Sequence, residues 1–117
     1  MKSWRFFAAI AALCLPACGA WAAGALAVDN HGNFGVSRNH HEKGHAIRLA
    51  MDNCGHPACH VVLEFEGACA AYARASNGHE GWATGERDHH AIHHAIENCE
   101  AYGGRDCRMI TVQCDGL

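Results

Sequence analysis

Apolar residues along this chain recur first with the period of a strand and then with the period of a helix, and that order occurs twice. Ala25-Leu26-Ala27-Val28 is a short apolar run, Asp29-Asn30-His31-Gly32-Asn33 a polar turn, and Phe34 to Ser37 a second strand. Ala70 to Arg74, Asn77-Gly78 and Gly81 to Thr84 repeat the arrangement. Asn-Gly between two such runs marks a hairpin, because both residues tolerate positive φ. Gly32-x-x-Gly35 and Gly78-x-x-Gly81 align at a spacing of 46 residues. A helix is predicted after each hairpin. Ala46, Ile47, Ala50, Met51 and Cys54 fall on one helical stripe, as do Ala91, Ile92, Ala95, Ile96 and Cys99. The alanines let a helix lie close to a sheet, and each isoleucine adds burial of roughly 1.5–3 kcal/mol. Ser37 or Asn39 is placed to cap the first helix, and Thr84 or Asp88 the second. Each helix leads through a cysteine, a short loop and another cysteine into a strand, His60 to Phe65 or Met109 to Val112, and Cys69 or Cys114 follows.

The helical stretches are copies of each other. His45 to Cys54 (H-A-I-R-L-A-M-D-N-C) and His90 to Cys99 (H-A-I-H-H-A-I-E-N-C) are identical at six of ten positions, 45 residues apart. Met51/Ile96 and Asp52/Glu97 are chemically alike. This internal duplication predicts an α+β fold of two β-β-α-β repeats, over about 24–69 and 70–117, related by pseudo-twofold symmetry, with antiparallel strands packed on two helices. At 117 residues the chain holds one domain at most.

The start of the chain is a different kind of segment. Lys2 and Arg5, the apolar run Phe6 to Leu15 and the small-x-small site Ala20-Trp21-Ala22 read as a signal peptide over 1–22, cleaved before Ala23. The domain then spans 23–117, and the protein is secreted or periplasmic. Leu15-Pro16-Ala17-Cys18-Gly19 loosely resembles a lipobox, and a lipid on Cys18 would tether the protein to a membrane. Beyond residue 22, seven basic residues face twelve acidic ones, a formal charge of −5, which makes nucleic acid a poor partner. All eleven histidines lie in the same part, so their full protonation would take the charge to +6. The sign of the surface can therefore reverse between neutral and mildly acidic pH.

Six of the eight cysteines also lie there: Cys54, Cys59, Cys69, Cys99, Cys107 and Cys114. An even set in a small exported domain reads as a disulfide framework. A zinc site is the weaker reading, since no C-x-x-C pair occurs. Six cysteines allow fifteen connectivities. The duplication favours the equivalent local pairs Cys54–Cys59 and Cys99–Cys107, leaving Cys69–Cys114 to join the copies. The other symmetric set, Cys54–Cys99 with Cys59–Cys107, would need the helix ends adjacent across the twofold.

Several runs taken together resemble a known family. They are G-A-L-A-V-D with its glycine turn, A-x-x-x-A-x-x-x-C at Ala46 to Cys54 and again at Ala91 to Cys99, C-H-V-V-L-E-F-E-G-A-C at Cys59 to Cys69, G-W-A-T-G at Gly81 to Gly85, G-G-R-D-C at Gly103 to Cys107, and Cys114. As a set they resemble the bacterial secreted family catalogued as domain of unknown function 4189, over essentially the whole chain after residue 22. The resemblance implies a small exported, disulfide-containing α+β domain and carries no catalytic residues. The density of histidines departs from the family's pattern.

That density is where candidate chemistry concentrates. His89/His93 and His90/His94 form i,i+4 pairs flanking the apolar stripe of the second helix, with Glu97 beside the second pair. Two imidazoles and a carboxylate are a plausible ligand set for Zn²⁺ or Cu²⁺, although solvated polar-face histidines give the same spacing. His41 and His45 repeat the geometry on the first helix. Nucleophilic catalysis has little support. Ser37 and Ser76 are the serines left after residue 22, and pairing the six cysteines leaves no thiol. Glu64, Glu66, Glu80 and Glu86 read as exposed sheet and turn residues. Trp82 is expected in the core, its alternative being an aromatic anchor on a protein-binding face. The chain thus reads as a non-enzymatic module with an unknown protein partner and no required cofactor; the alternative is a histidine-based metal-binding or pH-responsive protein of the envelope.

Overall fold

The structure, a computed structural model, describes residues 23–115; the expectations for the signal segment and for Cys18 lie outside them. In chain order the elements are β1 (Ala23–Val28), β2 (Phe34–His40), α1 (Lys43–Cys54), β3 (His60–Phe65), β4 (Cys69–Arg74), β5 (Glu80–Gly85), α2 (Asp88–Ala101) and β6 (Arg108–Cys114). All strand pairs are antiparallel, in two three-stranded sheets ordered β2-β1-β3 and β5-β4-β6. The expected α+β class, with antiparallel strands, two helices and disulfides, is what forms.

The central strands explain the unbroken apolar runs. Every residue of β1 is buried, as is every residue of β4 except the half-buried Arg74, because different layers cover their two faces. Ala25 and Ala27 pack with Ala50 and Cys54 of α1. Cys69, Ala71 and Ala73 pack with Ala91, Ala95 and Cys99 of α2. The alternate residues Leu26 and Val28 of β1 meet Tyr72 of β4 in a further cluster, joined by Phe34, Val36, Val62, Leu63 and Trp82. The two-residue period of a strand thus yields four layers, helix, sheet, sheet and helix. Packing of strands on helices was the expectation; the contact between the sheets adds to it.

Small residues let the helices approach. A Cβ on Gly35 would overlap the Ala50 carbonyl oxygen and the Cys54 backbone nitrogen, and one on Gly81 would overlap the equivalent atoms of Ala95 and Cys99. The aligned glycines therefore divide two tasks. Gly32 (φ 103°) and Gly78 (φ 92°) make the turns, while Gly35 and Gly81 seat the helices. The repeated asparagine has a matched role too, since Nδ2 of Asn53 donates to the Val36 carbonyl at 3.0 Å and that of Asn98 to the Trp82 carbonyl at 2.9 Å.

The helix starts differ from expectation. The N-cap residues are Glu42 and Arg87, and neither makes a side-chain capping bond. Because β2 runs on to His40, Ser37 and Asn39 lie within the strand. Ser37 is buried and its Oγ donates to the Ala46 carbonyl at 2.6 Å, pinning α1 to β2. Thr84 lies within β5, and Asp88 is in the first turn of α2, where its Oδ1 accepts the His89 N–H at 2.7 Å.

The disulfides are Cys54–Cys59, Cys99–Cys107 and Cys69–Cys114. The local pairs tie each helix end to the following strand, as the duplication suggests. The third bond differs in role from expectation: Cys69 and Cys114 stand directly opposite each other on β4 and β6, so it closes the second sheet and does not join the copies. The copies are joined by the core between the sheets and by Asp115. Its fully buried carboxylate accepts the N–H of Asn39 at 2.6 Å and of Gly67 at 3.2 Å.

Candidate functional site

The turn at Asn77-Gly78 fixes the register of the second hairpin, placing Tyr72 opposite Trp82 and Arg74 opposite Glu80. These four residues share one face of the strands, the face that meets the first sheet. The Tyr72 hydroxyl and Arg74 Nη1 both donate to Glu80 Oε2, the latter at 2.7 Å. The Glu80 side chain is only 6% exposed, so the sequence reading of this residue as a solvated sheet carboxylate is corrected. The Asn-Gly register carried the missed signal, since it sets an arginine opposite a glutamate with a tyrosine two residues earlier. Tyr72 is buried, with its ring 5.3 Å from that of Phe34. Burial first, and then the hydrogen bond to Glu80, holds its phenol above the ordinary tyrosine range. The Arg74 guanidinium packs beside the Gly32 turn of the first half.

Beside this network lies an open groove of about 530 Å³, lined by Asn30 of the first half and by Gly78, His79, Glu80, Trp82 and Tyr102 of the second. Trp82 serves both proposed roles in part, packing against the core between the sheets on one side and lining the groove on the other. The groove's loops are fastened. Asn77 Nδ2 donates to the Gly103 carbonyl at 3.0 Å, and Asn77 Oδ1 accepts the Arg105 N–H at 3.2 Å. On the other wall, Asp29 holds the turn that contains Asn30. Its carboxylate accepts the N–H of His31 at 2.8 Å and of Asn33 at 3.0 Å, and Nδ2 of Asn33 at 2.7 Å. The Asn33 side chain, followed by the two backbone donors, lowers its pKa to about 2 against a desolvation penalty that opposes the shift.

The histidine row on α2 is a separate, solvent-exposed feature. Glu97 lies between His93, whose Nε2 is 3.2 Å from Oε2, and His94, whose Nδ1 is 3.2 Å from Oε1. His89 faces Asp88 at 3.5 Å. Ring contacts join sequence neighbours, His89 with His90 and His93 with His94, and do not follow the i,i+4 pairing of the sequence reading. Among the described residues, no three His, Cys, Asp or Glu side chains are grouped so that they could hold a metal ion. In the first half, His41 precedes α1, and His45 stacks on His40 with ring centroids 5.2 Å apart.

Two stacked three-stranded sheets, each carrying one helix and stapled by disulfides, define a small α+β domain of the kind that suits an oxidising compartment. Among the described residues no helix is long and apolar enough to cross a membrane. The chain belongs to the family described as domain of unknown function (DUF4189), whose model matches residues 21–114. No curated protein and no solved structure matches it.

Proposed function

We propose that the protein is an exported, non-catalytic module, secreted or periplasmic after loss of residues 1–22, that acts by binding a protein partner. The observation that carries the binding reading is where large apolar side chains are exposed. Among the described residues these are Tyr102, Met109 and Ile110, at 70%, 42% and 44% exposure, all from the α2–β6 segment. The Cys99–Cys107 bond and Asn77 fasten that segment, so its apolar surface would be presented with little ordering cost. β6 is an edge strand whose register against β4 shifts between Tyr72 and Ala73, which favours contact through side chains over strand addition. The non-catalytic reading rests on the nucleophiles being engaged: Ser37 Oγ donates to the Ala46 carbonyl, Ser76 Oγ to the Arg105 carbonyl at 3.1 Å, and Cys54, Cys59, Cys69, Cys99, Cys107 and Cys114 are paired. Shared strand order and the paired roles of Gly35/Gly81 and Asn53/Asn98 support descent of both halves from one β-β-α-β unit, related by a pseudo-twofold axis. A photo-crosslinking residue at Ile110 should capture one discrete protein during export that the same residue at Asp52 on α1 does not. Identical crosslinking patterns from the two positions would sink the proposal.

A second reading draws on Glu97 between two imidazoles: the exposed α2 row takes Zn²⁺ or Cu²⁺, or responds to pH. Exposed side chains at these positions are free to change rotamer around an ion. Titration with Zn²⁺ should then saturate at sub-micromolar concentration in the native protein and fail to do so in a His93→Asn/His94→Asn variant; millimolar binding in both reduces the row to surface composition.

A further inference from the structure

We infer that the groove between the two halves is a saccharide-binding site for a gluco-configured chain, one whose axial C–H bonds give each pyranose flat apolar faces. Trp82 and the largely exposed Tyr102 line it with aromatic surface, which can receive such a face as it receives other apolar groups. The polar lining selects among apolar-faced ligands. The Glu80 side chain is 6% exposed, and among the described residues its carboxylate's donors, Tyr72 and Arg74, both fall on Oε2 and none on Oε1. A buried carboxylate oxygen without a donor is costly, and a ligand that brings one relieves the cost.

Charge decides what kind of donor fits. Arg74 already balances Glu80 at 2.7 Å, so a cationic ligand would gain little net attraction and would meet the guanidinium. A neutral hydroxyl gains the full strength of a bond to an ionised acceptor. Asn30 adds an amide that can donate and accept together, as neighbouring hydroxyls require. It reaches the groove from the first half, held at φ 68° in the turn that Asp29 locks. His79 completes the lining, its ring lying against Gly103. The volume falls within the range of small-ligand sites, and the fastened loops leave little to order on binding. This site shares Tyr102 with the proposed protein contact but draws nothing from Met109 or Ile110.

The test is titration of the exported protein with the β-1,4-linked tetramers of glucose and of N-acetylglucosamine. Trp82 emission is isolated by comparison with the Trp82→Phe variant. At least one tetramer should shift that emission with saturation, and which one responds identifies the sugar. Tyr102→Ala, at an exposed position that leaves the core intact, should weaken binding about tenfold. Asn30→Gly keeps the positive φ and should weaken it as well, while Ile110→Lys should bind as the unaltered protein does. Failure of both tetramers to saturate at about 10 mM, or unchanged affinity in Tyr102→Ala and Asn30→Gly, overturns the assignment. Loss of protein crosslinking at Ile110 with saccharide binding retained would overturn only the protein-partner reading.

Discussion

Glu80 shows how one side chain can be misread until its neighbours are placed. With Tyr72 and Arg74 both donating to one of its oxygens, Tyr72→Phe leaves the ion pair but removes a bond to a charged acceptor. That should cost about 2 kcal/mol, seen as a lower denaturant midpoint at unchanged slope. Asp29 gives a second prediction at this scale. Its carboxyl is lowered from 3.8 to about 2 in the native state, so across that interval the unfolded chain binds a proton that the folded chain refuses. The resulting stability is complete above pH 3.8 and is lost as pH falls toward 2. Asp29→Asn should flatten the acid limb of the stability curve in that interval; an unchanged limb would show that other carboxylates set it. Neither role is visible in composition. The Asp29 turn is suggested by Asp, Asn and Gly in sequence, but the direction of each hydrogen bond is a property of the folded loop.

Elements were the most legible scale, because a strand or helix buried on a defined face must show its period in the sequence. The two hairpins, both helices and the strands after them lie where the alternating and helical patterns predict. The caps do not, because capping depends on where the preceding strand ends, and β2 carries Ser37 and Asn39 past the positions from which they could serve α1. The second buried face of β1 and β4 was also hidden, since Ala-Leu-Ala-Val and Ala-Ala-Tyr-Ala are apolar throughout and no period tells which layer each residue meets. Gly35 and Gly81 make the helix-to-sheet distance testable. Added methyl groups would meet helix backbone that cannot rotate away, so Gly35→Ala and Gly81→Ala should each cost about 3 kcal/mol or prevent folding. Gly67→Ala, which meets no atom within 4 Å but sits at φ 60°, should cost about 1 kcal/mol from backbone strain alone. Thermal unfolding of the three variants separates contact from conformation, and equal losses would remove the close-approach argument.

Across the whole molecule, the second half is closed covalently and the first is held to it without a bond of that kind. Cys69–Cys114 spans 45 residues, and in the loop-entropy treatment its removal costs about 4 kcal/mol. Asp115, the next residue, spans the halves through the amides of Asn39 and Gly67, so Asp115→Ala should cost about 2 kcal/mol by removing two hydrogen bonds to a charged acceptor. These effects cannot be independent. Asp115 is held in place by the end of β6, and that end is fixed by Cys114, so freeing the cysteine also loosens the carboxylate. In a double-mutant cycle, Cys69→Ala/Cys114→Ala combined with Asp115→Ala should therefore lose less stability than the sum of the separate losses. Amide exchange at Asn39 and Gly67 should rise in Asp115→Ala and also in the cysteine variant, whose altered residues include neither. Strict additivity, with protection of those amides kept in the cysteine variant, would mean that the halves are held by the core of Leu26, Val28 and Tyr72 alone and that Asp115 only closes the chain end.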